Sequence, residues 1–389
     1  MNQLGSGAPS DGGVTSLPDG AAATLCGTAM CSGITPICGA NTVCRGCRSD
    51  SECGSHICEE FTGECKLDAE TLYVRTSGND ANPCTHDAPC ANVSRALQLV
   101  NSTHAFIRIY DGNYDDAFQT SQSFVLSGEG NPGTTASITF KQLGHDHVVE
   151  IDGGTALVEG VSLNGGQTET MYTSGPMTNV TLFNVEVAGS SVGSIVSLAA
   201  TLNIENLYIH TNMGGTEAAL AMTSGQLTLK RSVMSSIFGS CVKLNAVKFD
   251  IENSYFTGCT GDALTVTGNP TNMMIYKFNT AAFNTAGVNS APLLIMTSSI
   301  FAFNTDGATP NELAGQARAN YSLFTDDAPL FGTGNVVGDP LFVNGAQDLH
   351  IQSTSPAEDN GDPNSTVTID YDGDARPNGN GYDIGADEY

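Results

Sequence analysis

The chain has 389 residues, and its formal net charge of −27 comes from only 14 Lys+Arg set against 41 Asp+Glu. So few bases exclude nucleic acid and anionic membrane surfaces as partners, because binding there rests on Lys and Arg neutralising phosphates. Polysaccharide or cell-surface glycan, cations and basic proteins fit this charge better.

No apolar run approaches the roughly 18 residues of a transmembrane segment. Gly is abundant, Trp is absent and helical apolar stripes are scarce, which makes the class mostly β. Residues 1–25 are rich in Gly, Ser, Pro and Asp and read as a flexible linker. They do not read as a signal peptide, and Met1 is taken as a start placed on a processed, exported form. Twelve cysteines place the chain in an oxidising compartment.

Residues 26–66 hold Cys26, Cys31, Cys38, Cys44, Cys47, Cys53, Cys58 and Cys65 with few apolar residues between them. Covalent staples must replace a core there, so the segment is read as a four-disulfide module with the pairing open. Zinc is the rival, but only Cys44 and Cys47 form a CxxC, and His56 is the lone local His.

Residues 70–389 form the second unit. In the cap, 70–105, a strand at 72–75 is followed by a turn that Cys84 and Cys90 are close enough to staple. Residues 91–100 then make an amphipathic helix with Val93, Leu97 and Val100 on one face. The coils, 106–345, carry a repeat with Gly160, Asn184, Asn206, Arg231, Asn253, Asn279, Ser298 and Asn320 as anchors, at intervals of 24, 22, 25, 22, 26, 19 and 22 residues. Apolar residues stand two and four places before most anchors, the alternation of a strand with one face inward. The expected fold is a right-handed, single-stranded parallel β-helix of about eight to ten coils, entered through the short capping helix.

Lys277, Gln316 and Arg318 break the inward columns; a one-residue slip near MMIYKFN would put Tyr276 and Phe278 inside instead. Asn suits a left-handed corner and can hydrogen-bond along a stack. Glu205, Lys230 and Glu252 precede successive anchors and read as alternating charges on the outer face. Cys241 and Cys259 are close enough in sequence to bridge neighbouring coils, with free buried thiols as the alternative.

The search for chemistry gives no complete catalytic set. The densest titratable cluster is His145, His147, Glu150 and Asp152, where two His at i, i+2 share a strand face. Lys230, Arg231, Lys243, Lys248 and Lys277 form a basic group that would meet an acidic glycan or balance neighbouring Glu. In IDYDGDARPNGNGYDIGADEY, Asp370, Asp372 and Asp374 alternate like calcium ligands, against a general expectation of no cofactor. However, Ala375 and Gly381 stand where a calcium loop needs Gly and Glu. The closing segment, 346–389, is therefore expected to act as a lid, with Ile384 and Tyr389 over the open end of the core and Arg376 paired to a carboxylate.

The run CRSDSECGSHICEEFTGEC resembles small Cys-rich repeats, loosely Dickkopf- or EGF-like, of myxobacterial surface proteins. LYVRTSGND, together with GDPLFVNGAQDLHIQSTSPAEDNGD and RPNGNGYDIGADEY, resembles the bacterial choice-of-anchor Q proteins of the pectate-lyase-like β-helix superfamily, over 72–389. The resemblance implies an exported cell-surface protein, anchored before Asn2 by an N-terminal lipid, that binds glycan or serves as a structural or adhesive element. The alternative is a polysaccharide lyase, hydrolase or epimerase with an unrecognised site in the outer groove.

Overall fold

The structure, a computed structural model, describes residues 14–16, 22–40, 42–128, 138–142, 146–190, 192–212, 218–270, 273–326 and 332–389. Each coil from Phe106 onward lays down three short strands, so three parallel sheets run along a solenoid of about seven turns. Partial rungs at the ends, such as Thr71–Val74 and Val336–Val337, extend the stack. The first sheet includes Phe124–Ser127, Thr155–Glu159, Gln226–Lys230, Lys248–Glu252 and Met274–Lys277. The second includes Val233–Ile237, Tyr255–Thr257, Thr280–Ala282 and Ile300–Ala302, and the third includes Val242–Asn245 and Asp262–Thr267.

Alternation along each strand fills the interior. Leu227, Leu229, Phe249 and Ile251 are fully buried on successive rungs of the first sheet, and each such burial contributes about 1.5–3 kcal/mol. The helix is shorter than expected, Val93–Leu97, and it buries Val93, Ala96 and Leu97 at the start of this core.

The anomalous columns are register slips. Ile251 pairs with Tyr276 and Glu252 with Lys277, so Tyr276 is inside and Lys277 outside, whereas Phe278, expected inside with Tyr276, stands at the corner and is buried under Arg376 and Tyr382. At the last rung Leu294 pairs with Ala317 and Met296 with Ala319, which turns Gln316 and Arg318 outward. The left-handed corner between the first and second sheets falls at Gly160, Asn184, Asn206, Arg231, Asn253, Phe278, Ser298 and Tyr321, all with φ between 46° and 65°. Phe278 and Tyr321 take the place expected for Asn279 and Asn320, because packing on the outside of the corner overrides Asn's local preference.

The next residue forms a buried polar ladder. The Leu207 N–H donates to Ser232 Oγ (3.1 Å), Ser232 to Ser254 (3.2 Å), Ser254 to Asn279 Oδ1 (3.0 Å), Asn279 to Ser299 (3.2 Å) and Ser299 to Ser322 (3.1 Å). Each rung satisfies a backbone donor that the corner has pulled out of the sheet.

All twelve cysteines are paired: Cys26–Cys38, Cys31–Cys44, Cys47–Cys58, Cys53–Cys65, Cys84–Cys90 and Cys241–Cys259. The last does bridge adjacent coils. Six disulfides place the folded chain in an oxidising environment. Among the described residues, no helix is long and apolar enough to cross a membrane.

Two appendages sit on the outside. The Cys-rich module docks beside the early corners: Glu159 accepts the Glu60 and Phe61 N–H groups (3.2 and 3.0 Å), and Phe61 meets the Phe183 ring edge-on at 5.5 Å. Arg108 pairs with Asp50 below it. The C-terminal segment does not cover the end of the core as a lid. It folds back as a strap along the outer face of the second sheet, where Ile384, Leu349, Ile351 and Phe342 pack with Tyr255, Ala282, Ile300 and Leu323 in a second apolar cluster. Those outward positions are apolar, so a separate covering layer is the physical requirement that the strap meets.

Glu312, at the last coil, accepts hydrogen bonds from Asn304 and from Thr325 Oγ1 (3.0 Å for the latter), and burial pushes its carboxyl up to about 7. A group whose folded value lies above its unfolded 4.5 contributes stability below the unfolded value and loses it as pH rises through the folded one. The protein is therefore expected to lose on the order of 1–3 kcal/mol between pH 4.5 and 7 at this site. Urea denaturation at pH 5 and pH 8 checks this: Glu312→Gln should reduce the difference, with Glu159, which burial also pushes up to about 7, keeping the remainder, and an unchanged pH dependence in the variant refutes it.

Candidate functional site

The strap lacks regular structure, so its backbone N–H groups need partners, and its acidic residues supply them. Asp383 accepts from Asp359 and Tyr389 (both 2.7 Å), Asp370 from Asp374 and Glu388 (2.8 and 3.1 Å), and Glu388 from Asn378 and Asp383 (2.6 and 3.2 Å). Arg376 lies at the centre, buried, with Nε 3.2 Å from Glu388 Oε2. Its guanidinium also donates to the carbonyls of Gly385 (3.1 Å) and Asp387 (2.8 Å) and lies 4.3 Å over the Phe278 ring. Burial pulls its pKa down while Glu388 and Asp370 oppose the shift, and burial pushes Glu388 and Asp383 up. The expected pairing of Arg376 with a carboxylate is present.

Where the strap crosses the corner, the Asn253 amide donates to the Ile369 carbonyl at 2.8 Å. This crossing leaves a groove on each side.

The groove over the second sheet has a volume of about 510 Å³ and is walled by Tyr208, Tyr255 and Tyr371, with His350 and Asp348 from the hairpin Phe342–Asn344 and Asp348–Ile351. Tyr255 and Tyr371 meet edge-on at 4.8 Å, and Tyr208 stacks on His210 at 4.5 Å. Ser235 and Thr257 line the floor. The His350 ring sits between two carboxylates, Nε2 to Asp372 at 2.8 Å and Nδ1 to Asp348 at 2.5 Å. The hydrogen bond to Asp372 first, then the one to Asp348, pushes its pKa up to about 9 against the opposing effect of burial.

The groove over the first sheet, about 420 Å³, is lined by Glu205, Lys230, Arg231, Glu252 and Lys277 under residues 366–369. Lys277 pairs with Glu252 at 2.8 Å, Lys230 approaches the same carboxylate at 3.8 Å, and Arg231 pairs with Glu205. The alternating charges expected on successive coils are therefore present, and Lys277 extends them by one rung. Asp250 lies beside them with its carboxyl raised by burial.

The other sequence candidates scatter. Lys243 is exposed on the third sheet, and Lys248 is exposed at the start of a first-sheet strand, so the five bases do not make one patch. His145 lies outside the described residues. His147 stacks on Tyr172 at 4.9 Å with Nδ1 3.2 Å from Glu169, Glu150 sits between Gln119 and Tyr172, and Asp152 accepts from Gln119 at 3.4 Å. Asp370, Asp372 and Asp374 do not converge as calcium ligands. Asp370 is buried among strap N–H groups, Asp372 faces His350, and Asp374 is exposed. The grooves' other residues (Tyr208, Tyr255, Tyr371, His350 and Asp348) carry no local motif, because the returning segment sets His350, Asp348 and Tyr371 against strands that lie far back in the chain.

No protein-family model matches the chain, and no curated protein does. Among solved structures it is similar to pectate lyase Pel9A, with TM-score 0.45 and 13% identity, covering 82% of this chain and 96% of that one. It is also similar to XylC in complex with xylose, with TM-score 0.43 and 8% identity over 81% and 98% of the two chains. A GH136 lacto-N-biosidase from Eubacterium ramulus follows, with TM-score 0.29 and 9% identity over 70% and 67%. Scores at this level assign no activity, so the functional reading rests on the grooves.

Removing one partner of a buried ion pair leaves the other charge uncompensated and costs about 3–5 kcal/mol. Arg376→Met is expected to destabilise the protein by that amount and to release the strap, read by denaturation followed through tyrosine fluorescence. A loss below about 1 kcal/mol would remove Arg376 from its central place.

Proposed function

We propose that this is an exported glycan-binding β-solenoid, of the choice-of-anchor Q type, and that the aromatic groove over the second sheet holds a neutral sugar. One observation carries the reading: partly exposed Tyr208, Tyr371 and His350 stand around a cavity that also offers Asp348, Ser235 and Thr257. Aromatic faces suit the C–H faces of a sugar ring, and carboxylate and hydroxyl groups suit its hydroxyls. The volume falls within the roughly 300–1,000 Å³ of small-ligand sites. Asp348 and Asp372 at the rim, in a chain of net charge −27, disfavour a uronate. The Cys-rich module and the leader before it would present the solenoid at the outer surface of a bacterial cell.

A second reading is favoured by the charged groove, where Asp250, Glu252, Lys230 and Lys277 lie together on one sheet. A raised carboxyl beside amines is material for acid–base work on a polysaccharide. Pairing of Glu252 with both lysines makes it the lesser reading, since these groups already neutralise one another.

Titration against a panel of neutral and uronate oligosaccharides, with product analysis, separates the two. Binding of a neutral sugar without turnover, weakened about tenfold, or about 1.4 kcal/mol, by Tyr208→Ala and by Tyr371→Ala, is the expected result. Product formation would transfer the assignment to the charged groove. Binding to no member of the panel would overturn the glycan reading and leave a structural scaffold.

A further inference from the structure

At the rim of the aromatic groove, three residues from distant parts of the C-terminal segment meet. His350 comes from the hairpin, Asp372 from the loop after the corner crossing, and Asp387 from the last turn of the strap. One ligand atom of each lies within 4.8 Å of the other two. We propose that His350, Asp372 and Asp387 form a binding site for a divalent transition-metal ion of the zinc type, which clips the hairpin to the strap.

Four features of the surroundings support this. First, Asp348 holds His350 Nδ1 at 2.5 Å, which leaves Nε2 directed at the cluster. A carboxylate on the far ring nitrogen is the arrangement that fixes the tautomer and orientation of metal-bound histidines. Second, the Ile351 N–H donates to Asp387 Oδ2 at 2.8 Å, which anchors that carboxylate and leaves its other oxygen for an ion.

Third, Tyr255 is 5% exposed, and its hydroxyl has no hydrogen-bond partner. Tyr255 lines the same groove, and its hydroxyl lies in the field of Asp387 first and then Asp372. An unpartnered buried hydroxyl is destabilising. A water molecule on the ion would give it a partner, as the solvent ligand of a site with three protein ligands.

Fourth, the donor set selects the ion. One imidazole and two carboxylates suit zinc or manganese, whereas calcium takes oxygen ligands alone. An ion would take the place of the Nε2 proton that now faces Asp372, because a metal needs the neutral imidazole nitrogen. Thiols offer no competing site, since the described cysteines are all in disulfides. The site stands whether or not the groove takes a sugar.

Isothermal titration of the full, untagged, chelator-treated chain with zinc chloride tests the proposal, with a thermal melt of the same samples. One ion per chain, with a Kd of about 10 µM or below and a higher Tm on loading, is the expected result. Asp387→Asn and His350→Gln should each weaken binding by tenfold or more. Asp348→Asn should weaken it by about 10–100-fold while contacting no ion. Asp306→Asn, on an exposed carboxylate of the hairpin Thr305–Asp306 and Thr309–Pro310 far from the cluster, should leave it unchanged. Circular dichroism identifies any variant that fails to fold; the near-isosteric Asp387→Asn and Asp348→Asn then decide the question. Absence of saturable one-to-one binding, or equal binding by wild type and Asp387→Asn, overturns the site.

Discussion

The corner between the first and second sheets is the constraint on which the rest of the structure depends. A solenoid must turn its chain through the same left-handed conformation at every coil, and for a residue with a side chain that conformation costs about 1–2 kcal/mol. The column meets this cost in two ways. In the early coils the corner residues are Gly160, Asn184 and Asn206, types that tolerate the conformation, and Asn206 donates to the Asn184 side chain at 3.0 Å. Further on, bulky or unusual residues take the corner and find their compensation outside it. Arg231 pairs with Glu205, Phe278 lies under Arg376, and Ser298 Oγ accepts the Asp362 N–H at 2.9 Å.

Both appendages are seated on this one column. The Cys-rich module grips its start, where Asn184 reaches Glu60 and Glu159, one residue before Gly160, receives two N–H groups of the module. The strap grips its later part through Asn253, Phe278 and Ser298. A surface that repeats every coil would otherwise be featureless. Each appendage is fixed through corner residues, Asn184 at the module and Asn253, Phe278 and Ser298 at the strap.

This explains what was legible in the sequence. The period, the inward columns and the outer ladder of Glu205, Lys230 and Glu252 follow from local alternation and could be read directly. At Phe278 and Tyr321 the Asn preference points to the neighbouring Asn279 and Asn320, whereas external packing decides the position. The Ser232, Ser254, Ser299 and Ser322 column was readable, with serine recurring one residue after successive corners, but it becomes meaningful only once the corner is placed. The grooves were not readable at all. Tyr208, Tyr255, His350 and Tyr371 belong to no spacing pattern, since Tyr208 and Tyr255 lie on solenoid rungs while His350 and Tyr371 arrive with the returning strap.

The acidic tail shows how composition can mislead about chemistry. Alternating aspartates are the sign of a calcium loop when the backbone around them is helical or tightly turned and already satisfied. Here the backbone is irregular, and each buried carboxylate of the strap accepts at least one backbone N–H, as Asp370, Asp383, Asp387 and Glu388 do. Only a carboxylate with an oxygen left over can serve an external ligand, and along the strap Asp372 and Asp387 meet that condition at the edge of the groove. In such a segment, binding capacity is what remains after the backbone has been satisfied. The functional residues must therefore be sought among the leftover acceptors rather than in the densest run of acid.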